Sequence, residues 1–188
     1  MISGILLAAG RGFRFGSNKL LHPLTDGTLM AVAAARNLLD ALPHSLAVVK
    51  PGEEELARLL AAAGMELVVN HQAEEGMGVS LACGVAAAAQ AQGWVIALAD
   101  MPFIQPATIR GIVELLQQGA LLVVPEYGGK RGHPVGFSRV LRDELEALQG
   151  DTGARMLLQH YVRQLRYLRV TDPGVLIDID TLTDIQVL

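Results

Sequence analysis

The sequence has a single cysteine in 188 residues, Cys83, which excludes an internal disulfide and any paired-cysteine redox or zinc motif. Aromatic residues make up only 4%, leaving little material for stacking unpaired bases. Basic residues number 15 against 19 acidic, a formal net charge of −4. That sign argues against a protein held electrostatically along nucleic acid or on an anionic membrane, while leaving room for a local basic pocket. Charged residues amount to 18% against 51% hydrophobic, the reverse of a disordered composition. The histidines other than His133, at 22, 44, 71 and 160, lack metal-ligand spacing, and no zinc site is expected. What remains is a chain expected to form one domain over residues 1–188. A domain of this length buries roughly 70% of its unfolded surface and needs no covalent or metal staple.

One apolar stretch is long enough to raise the question of a membrane. Within residues 81–99 the polar side chains are Gln90 and Gln92, over about the length of a bilayer span. Gly93 divides the stretch, much of it is alanine, and its flanks are Glu74, Glu75 and Asp100 rather than lysines or aromatics. A buried helix followed by a buried strand accounts for it, with Cys83 as a small buried residue of that helix. The opening Met1-Ile-Ser-Gly-Ile-Leu-Leu carries no basic region and no export cleavage site. The expectation is a soluble, cytoplasmic protein without a membrane or nucleic-acid partner.

Short continuous hydrophobic runs at 5–8, 46–49, 67–69, 94–99 and 121–124 have strand length and are bounded by Gly, Pro, Asn or Asp. Unbroken hydrophobicity implies burial on both faces, as in central parallel strands. Helix-length patterns lie between them at 28–41, 53–63, 79–91 and 106–118, punctuated by Gly64, Gly119 and Pro106. The alternation predicts an α/β fold: a mostly parallel central sheet with helices on both faces. The last third is less regular. A glycine-rich loop spans 126–132, strands are expected at 133–137, 165–170 and 175–179, helices at 140–148 and 153–161, and a final helical turn at 181–187.

In such a fold ligands bind beyond the carboxyl ends of the strands. The first strand runs into Ala8-Ala-Gly-Arg-Gly-Phe-Arg-Phe-Gly-Ser-Asn-Lys. There Gly10, Gly12 and Gly16 can turn backbone amides toward an anion, and Arg11, Arg14 and Lys19 add positive charge. The glycine spacing misses both the dinucleotide fingerprint and the P-loop, and a surface turn with solvated charges is the plain alternative. Trp94-Val-Ile-Ala-Leu-Ala delivers Asp100 to a strand end, where a carboxylate can hold Mg²⁺ or simply start a turn before Pro102. Asp178 and Asp180 alternate with isoleucines and would share one face of a strand, as metal ligands, a solvated edge or a helix cap. His133, in the basic loop Lys130-Arg-Gly-His-Pro, could donate to an anionic substrate or merely be packed.

Taken together, these segments resemble the molybdenum cofactor cytidylyltransferases and their guanylyltransferase relatives within the nucleotidyltransferase superfamily. The resemblance spans nearly the whole chain. Leu7-Ala-Ala-Gly-Arg-Gly-Phe-Arg-Phe-Gly-Ser-Asn-Lys-Leu-Leu resembles the family's opening loop. Asn70, followed by Gly76-Met-Gly-Val-Ser-Leu, resembles a second segment, and Ala99-Asp-Met-Pro its G-D-M-P metal motif. Gly132-His-Pro-Val, Gly150-Asp-Thr-Gly-Ala-Arg and Asp178-Ile-Asp-Thr complete the order. Gly12 stands where the family commonly has serine, and Ala99 where it has glycine. Ala8-Ala9-Gly10 resembles the cytidylyl version of the loop.

The resemblance implies a single-domain, Rossmann-like three-layer α/β/α nucleotidyltransferase fold and an enzyme transferring CMP from CTP to a molybdopterin-type phosphate, with Mg²⁺ as cofactor. Nucleotide binding would fall to Leu7, Ala8, Ala9, Gly10, Arg11, Gly12, Arg14, Lys19, Asn70, Gly78 and Ser80. Arg14, Lys19 and Asp100 would be catalytic, with Asp100 and Asp180 holding the metal. Arg131, Gly132, His133, Pro134 and Arg155 would face the acceptor, and a molybdoenzyme could receive the product. Guanylyl transfer, transfer to another small phosphate, and a non-catalytic carrier of the cofactor are the alternatives. A dinucleotide oxidoreductase is disfavoured by the glycine spacing and by a second strand ending Val48-Val-Lys-Pro, without an acidic residue.

Overall fold

The computed structural model describes residues 1–10, 18–151 and 153–179. Its hydrophobic runs form β1 (Ile2–Leu7), β2 (Ser45–Val49), β3 (Glu66–Val69), β4 (Gly93–Leu98), β5 (Leu122–Tyr127), β6 (Lys130–Arg131), β7 (Val135–Ser138) and β8 (Leu165–Arg169). All belong to one sheet of order β3-β2-β1-β4-β7-β5-β6, with β8 also paired to β5. The first four run parallel to one another, β7 is antiparallel to β4 and β5, and β8 is parallel to β5. The sheet is therefore mixed but mostly parallel, as expected.

Side chains alternate across this sheet and define two cores. Leu6, Ala8, Val95 and Ala97 pack beneath α1 (Met30–Ala41), α2 (Glu54–Ala62) and α4 (Pro106–Gln117). Ile5, Leu7, Ala9, Trp94 and Ile96 face α3 (Met77–Ala87), α5 (Arg142–Glu146) and α6 (Arg155–His160). Burial on both faces explains why β1 and β4 read as unbroken hydrophobic runs. Trp94 is fully buried and donates its indole N–H to the Ala88 carbonyl at 3.2 Å. Close packing of α3 depends on Gly84, where a Cβ would sit 2.7 Å from Ile5 Cγ2. The long apolar stretch resolves into α3 and β4, and no helix among the described residues is long and apolar enough to cross a membrane.

The structure departs from the sequence reading in several places, the first being that the loop expected at 126–132 is a hairpin of β5 and β6. β3 was expected to be buried on both faces but pairs with β2 alone among the described residues and is largely exposed or half-buried. The segment expected as a helix at 140–148 is a 3-10 turn, Arg139–Leu141, followed by the short α5. Cys83 is half-buried rather than buried, and that burial pushes its thiol pKa up. The strand expected at 175–179 is absent: Pro173–Leu176 forms a 3-10 turn. Its hydrophobic residues suggested a strand because Val175 and Ile179 are fully buried, yet they plug the core instead of joining a ladder. The helical turn expected at 181–187 lies outside the described residues.

Asp172 begins that 3-10 turn and fixes its position. One oxygen accepts from the Gly174 N–H at 3.0 Å; the other accepts from the Gln105 N–H at 2.8 Å and the Thr108 hydroxyl at 2.7 Å. The carboxylate thus caps α4 from a distant part of the chain, favourably placed at the positive end of the helix. It is 3% exposed, so losing it would strand buried donors. We expect Asp172→Ala to cost about 3 kcal/mol. That corresponds to roughly 6–12 °C in Tm for a chain of this size, read by calorimetry. A loss within about 0.5 kcal/mol would show the cap to be dispensable.

Candidate active site

The parallel pairing of β1 with β4 brings their carboxyl ends side by side. Leu7 lies opposite Leu98, and the Ala99 N–H donates to the Leu7 carbonyl at 3.1 Å. The chain leaving β1 and Asp100 beyond β4 therefore open into one space. Between them and the start of α3 is a cleft of about 280 Å³, lined in part by Leu7, Ala9, Gly10, Lys19, Ser80 and Asp100.

Lys19 heads a short 3-10 turn, Lys19–Leu21, held by the Asn18 side-chain oxygen accepting from the Leu20 N–H at 3.1 Å. Its ammonium donates to Asp100 Oδ2 at 2.9 Å and to the Ile179 carbonyl at 3.1 Å. Ile179 is fully buried and donates its own N–H to the Asp100 carbonyl at 3.0 Å. Three segments remote in sequence thus meet at one ammonium group. The side chains of Lys19 and Asp100 are 14% and 25% exposed, so their attraction is less screened than that of a surface pair.

Asn70 and Gly78 support the opposite wall without lining the cleft. Buried Asn70 accepts from the Gln72 N–H at 2.9 Å and donates from its amide to Ser80 Oγ at 3.0 Å, orienting that hydroxyl. Gly78 donates its N–H to the Gly150 carbonyl at 2.8 Å. Gly76 has φ +123°, and a Cβ there would meet the Gly150 carbonyl carbon at 2.4 Å. This close approach brings onto the cleft Asp151, from the Gly150–Arg155 segment that the resemblance implied for the acceptor, and Met77, which the sequence reading did not nominate. The paired glycines of Gly76-Met-Gly78 were the available signal for such a contact.

None of the five expected acceptor residues lines the cleft. Gly132 has no room for a Cβ, which would lie 2.2 Å from the Val175 carbonyl oxygen, and the His133 N–H donates to that oxygen at 2.9 Å. The peptide between His133 and buried Pro134 is cis. His133 Nδ1 is enclosed and has no hydrogen-bond partner among the described residues. Burial holds the imidazole pKa below its ordinary value, opposed by the negative charges of Asp100 and Asp178. Arg131 is exposed, its guanidinium 5.8 Å from the centre of the Tyr167 ring, and exposed Arg155 opens α6; neither lines the cleft. Ala8 packs into the opposite core. Arg11, Gly12, Arg14 and Asp180 lie outside the described residues. Among the described residues no group of three or more His, Cys, Asp or Glu side chains is arranged to hold a metal.

A cleft at adjacent carboxyl ends of a parallel α/β sheet, lined by an ion-paired lysine and carboxylate, is where folds of this kind bind ligands. Residues 4–166 match the family model of the MobA-like NTP transferase domain, and the chain belongs to that nucleotidyltransferase family. Among its relatives is the purine catabolism protein PucB of Bacillus subtilis, 32% identical over 95% of this chain and 91% of that protein. Another is the nicotine blue oxidoreductase of Paenarthrobacter nicotinovorans, 28% identical over 96% and 92%. The solved structure of Rv0371c from Mycobacterium tuberculosis H37Rv superposes with a TM-score of 0.84 at 31% identity, covering 98% of this chain and 95% of that one. A manganese complex of Rv0371c gives a TM-score of 0.81 at 30% identity, covering 100% and 97%. A nucleotidyl transferase from Methanothermobacter gives 0.83 at 27% identity, covering 98% and 94%.

The depressed pKa of His133 fixes the sign of one pH dependence. The unfolded chain takes up the proton near pH 6.5, while the folded chain resists it to lower pH. The stability tied to a neutral His133 is therefore complete above that value and lost as pH falls through the window below it. Urea unfolding between pH 8 and pH 5 should show this decline in the wild type and a shallower one in His133→Gln. Equal slopes in the two proteins would contradict the assignment.

Proposed function

We propose that this chain is a cytidylyltransferase that moves CMP from CTP to the terminal phosphate of a molybdopterin-type acceptor, using Mg²⁺. The observation that carries the reading is the Lys19–Asp100 pair at the neighbouring ends of β1 and β4, inside the cleft. An acceptor phosphate oxygen attacks the α-phosphorus of CTP, the bond to the β-phosphate oxygen breaks, and pyrophosphate leaves. Such a transfer calls for positioning and charge stabilisation rather than a protein nucleophile.

The protein groups are suited to those tasks. The loop from Ala8 to Gly12 would approach the base and phosphates through its backbone, although the Ala8 N–H is itself given to the Val48 carbonyl, and Arg14 and Lys19 would balance charge on the triphosphate and leaving group. Arg11 adds to the same field. Ser80, oriented by Asn70, offers its hydroxyl at the start of α3, with Gly78 holding that helix against the 149–151 loop. Asp100 suits a hard divalent ion: it is a partly exposed carboxylate whose Oδ1 has no protein partner among the described residues. With Asp180 as its companion it would hold Mg²⁺, which when bound supplies positive charge between the reacting phosphates. Gly132, His133 and Pro134 would face the acceptor, together with Arg131 and Arg155.

The choice of CTP rests on the Ala8-Ala9-Gly10 sequence, and the choice of acceptor on the order of motifs along the chain. One relative is named an oxidoreductase, but here β2 ends at Val49 and is followed by Lys50 and Pro51. The strand itself ends without an acidic residue, and the carboxylate in the following loop, Glu53, is held by Lys50 and the Asn18 amide.

The test is pyrophosphate release with CTP, GTP or ATP, with and without Mg²⁺ and molybdopterin. Release should require CTP, metal and acceptor together, and Asp100→Ala should lower turnover by about 10²-fold or more while Tm is retained. Preference for GTP would change the nucleotide assignment. Tight acceptor binding without pyrophosphate release would favour a carrier, and near wild-type turnover in Asp100→Ala would remove the metal role.

A further inference from the structure

Lys19 does more in this structure than await a triphosphate. Its ammonium occupies one oxygen of the carboxylate assigned to the metal and is simultaneously tied to the Ile179 carbonyl. Ile179 is buried and bonded back to Asp100, so the lysine is drawn toward the carboxylate by a fixed frame. Both charged side chains are largely shielded from solvent. A divalent ion on Asp100 would thus sit within a few ångströms of an ammonium, and like charges at that range in a shielded site repel by several kcal/mol at an effective dielectric of about 20.

We infer that Lys19 and the divalent cation compete for the Asp100 carboxylate, so that the metal enters the site together with nucleotide. This rests on the nucleotidyltransferase reading above. Without nucleotide, Lys19 neutralises Asp100 and weakens uptake of a bare cation. The triphosphate supplies new acceptors for the ammonium, and their capture of Lys19 frees the carboxylate. Metal and nucleotide then promote each other's binding by the same factor, as linkage requires. The frame also gives the residues around Ile179 a function: they hold the ammonium at the carboxylate until phosphate draws it away.

Substitution of the lysine should therefore strengthen binding of one ligand and weaken that of the other. Lys19→Gln removes the charge but keeps an amide donor for the Ile179 carbonyl. Mn²⁺ binding, measured by electron paramagnetic resonance without nucleotide, should tighten at least tenfold in Lys19→Gln, while CTP binding weakens. Lys19→Arg keeps the charge and should bind Mn²⁺ no more tightly than the wild type. Unchanged or weaker Mn²⁺ binding by a folded Lys19→Gln would overturn the competition.

A crystal structure of the wild type with Mn²⁺ and CTP provides a second test, independent of any variant's folding. Lys19 Nζ should have left Asp100 Oδ2, and a pair retained at its present 2.9 Å would overturn the inference. If the wild type takes up Mn²⁺ with CTP but Lys19→Gln gains no Mn²⁺ affinity, the competition alone fails. If the wild type binds neither Mn²⁺ nor CTP in any combination, the nucleotidyltransferase reading fails with it.

Discussion

Parallel pairing of β1 with β4 is the constraint on which the rest of the molecule depends. Parallel neighbours end at the same edge of a sheet, so two segments far apart in sequence release their chains into one space. Lys19, from the segment after β1, supplies an ammonium, and the turn after β4 supplies the Asp100 carboxylate. Helices on both faces keep those ends apart from bulk water on two sides. The chemistry of the cleft follows from this geometry, which brings the Lys19 ammonium and the Asp100 carboxylate into contact.

The frame around the cleft is built largely from backbone contacts too close for side chains. Gly76 and Gly78 press the start of α3 onto the loop at 149–151, and Gly132 presses the His133 loop onto Val175. Each contact fixes a wall through main-chain atoms, whose positions depend little on side-chain rotamers. Asp172 performs the same service through a carboxylate, binding the 3-10 turn to the start of α4. In consequence Ile179 arrives at Asp100 with its carbonyl already directed at Lys19.

Much of this was legible in the sequence because it rests on periodicity and on punctuation. Runs buried on both faces gave β1, β2 and β4, and Gly64, Gly119 and Pro106 marked helix ends. Asp100 could be placed because six hydrophobic residues lead straight to it. The residues around Ile179 misled for a physical reason: burial in a plug and burial in a strand impose the same hydrophobicity. β3 misled in a related way, since a sheet edge tolerates valines that local pattern cannot distinguish from central ones. Met77 reaches the cleft through a contact between two loops, which paired glycines signal without recording which loops touch. The order of motifs gave the family, whereas Asn70 and Gly78, nominated for the nucleotide, do not themselves line the cleft.

The setting of Trp94 has a practical consequence. It is the sole tryptophan of the chain, enclosed between the sheet and α3, with its indole bonded to the turn that precedes β4. The strand that carries it also leads to Asp100, but the ring itself lies at the opposite end, near the start of the strand. Its ultraviolet emission is therefore an intrinsic optical gauge of the interior, blue-shifted while the layers stay closed. Because the ring does not line the cleft, a ligand there can bind without touching the chromophore. Loss of the blue-shifted signal in a variant would then register damage to the scaffold, separately from any change in its chemistry.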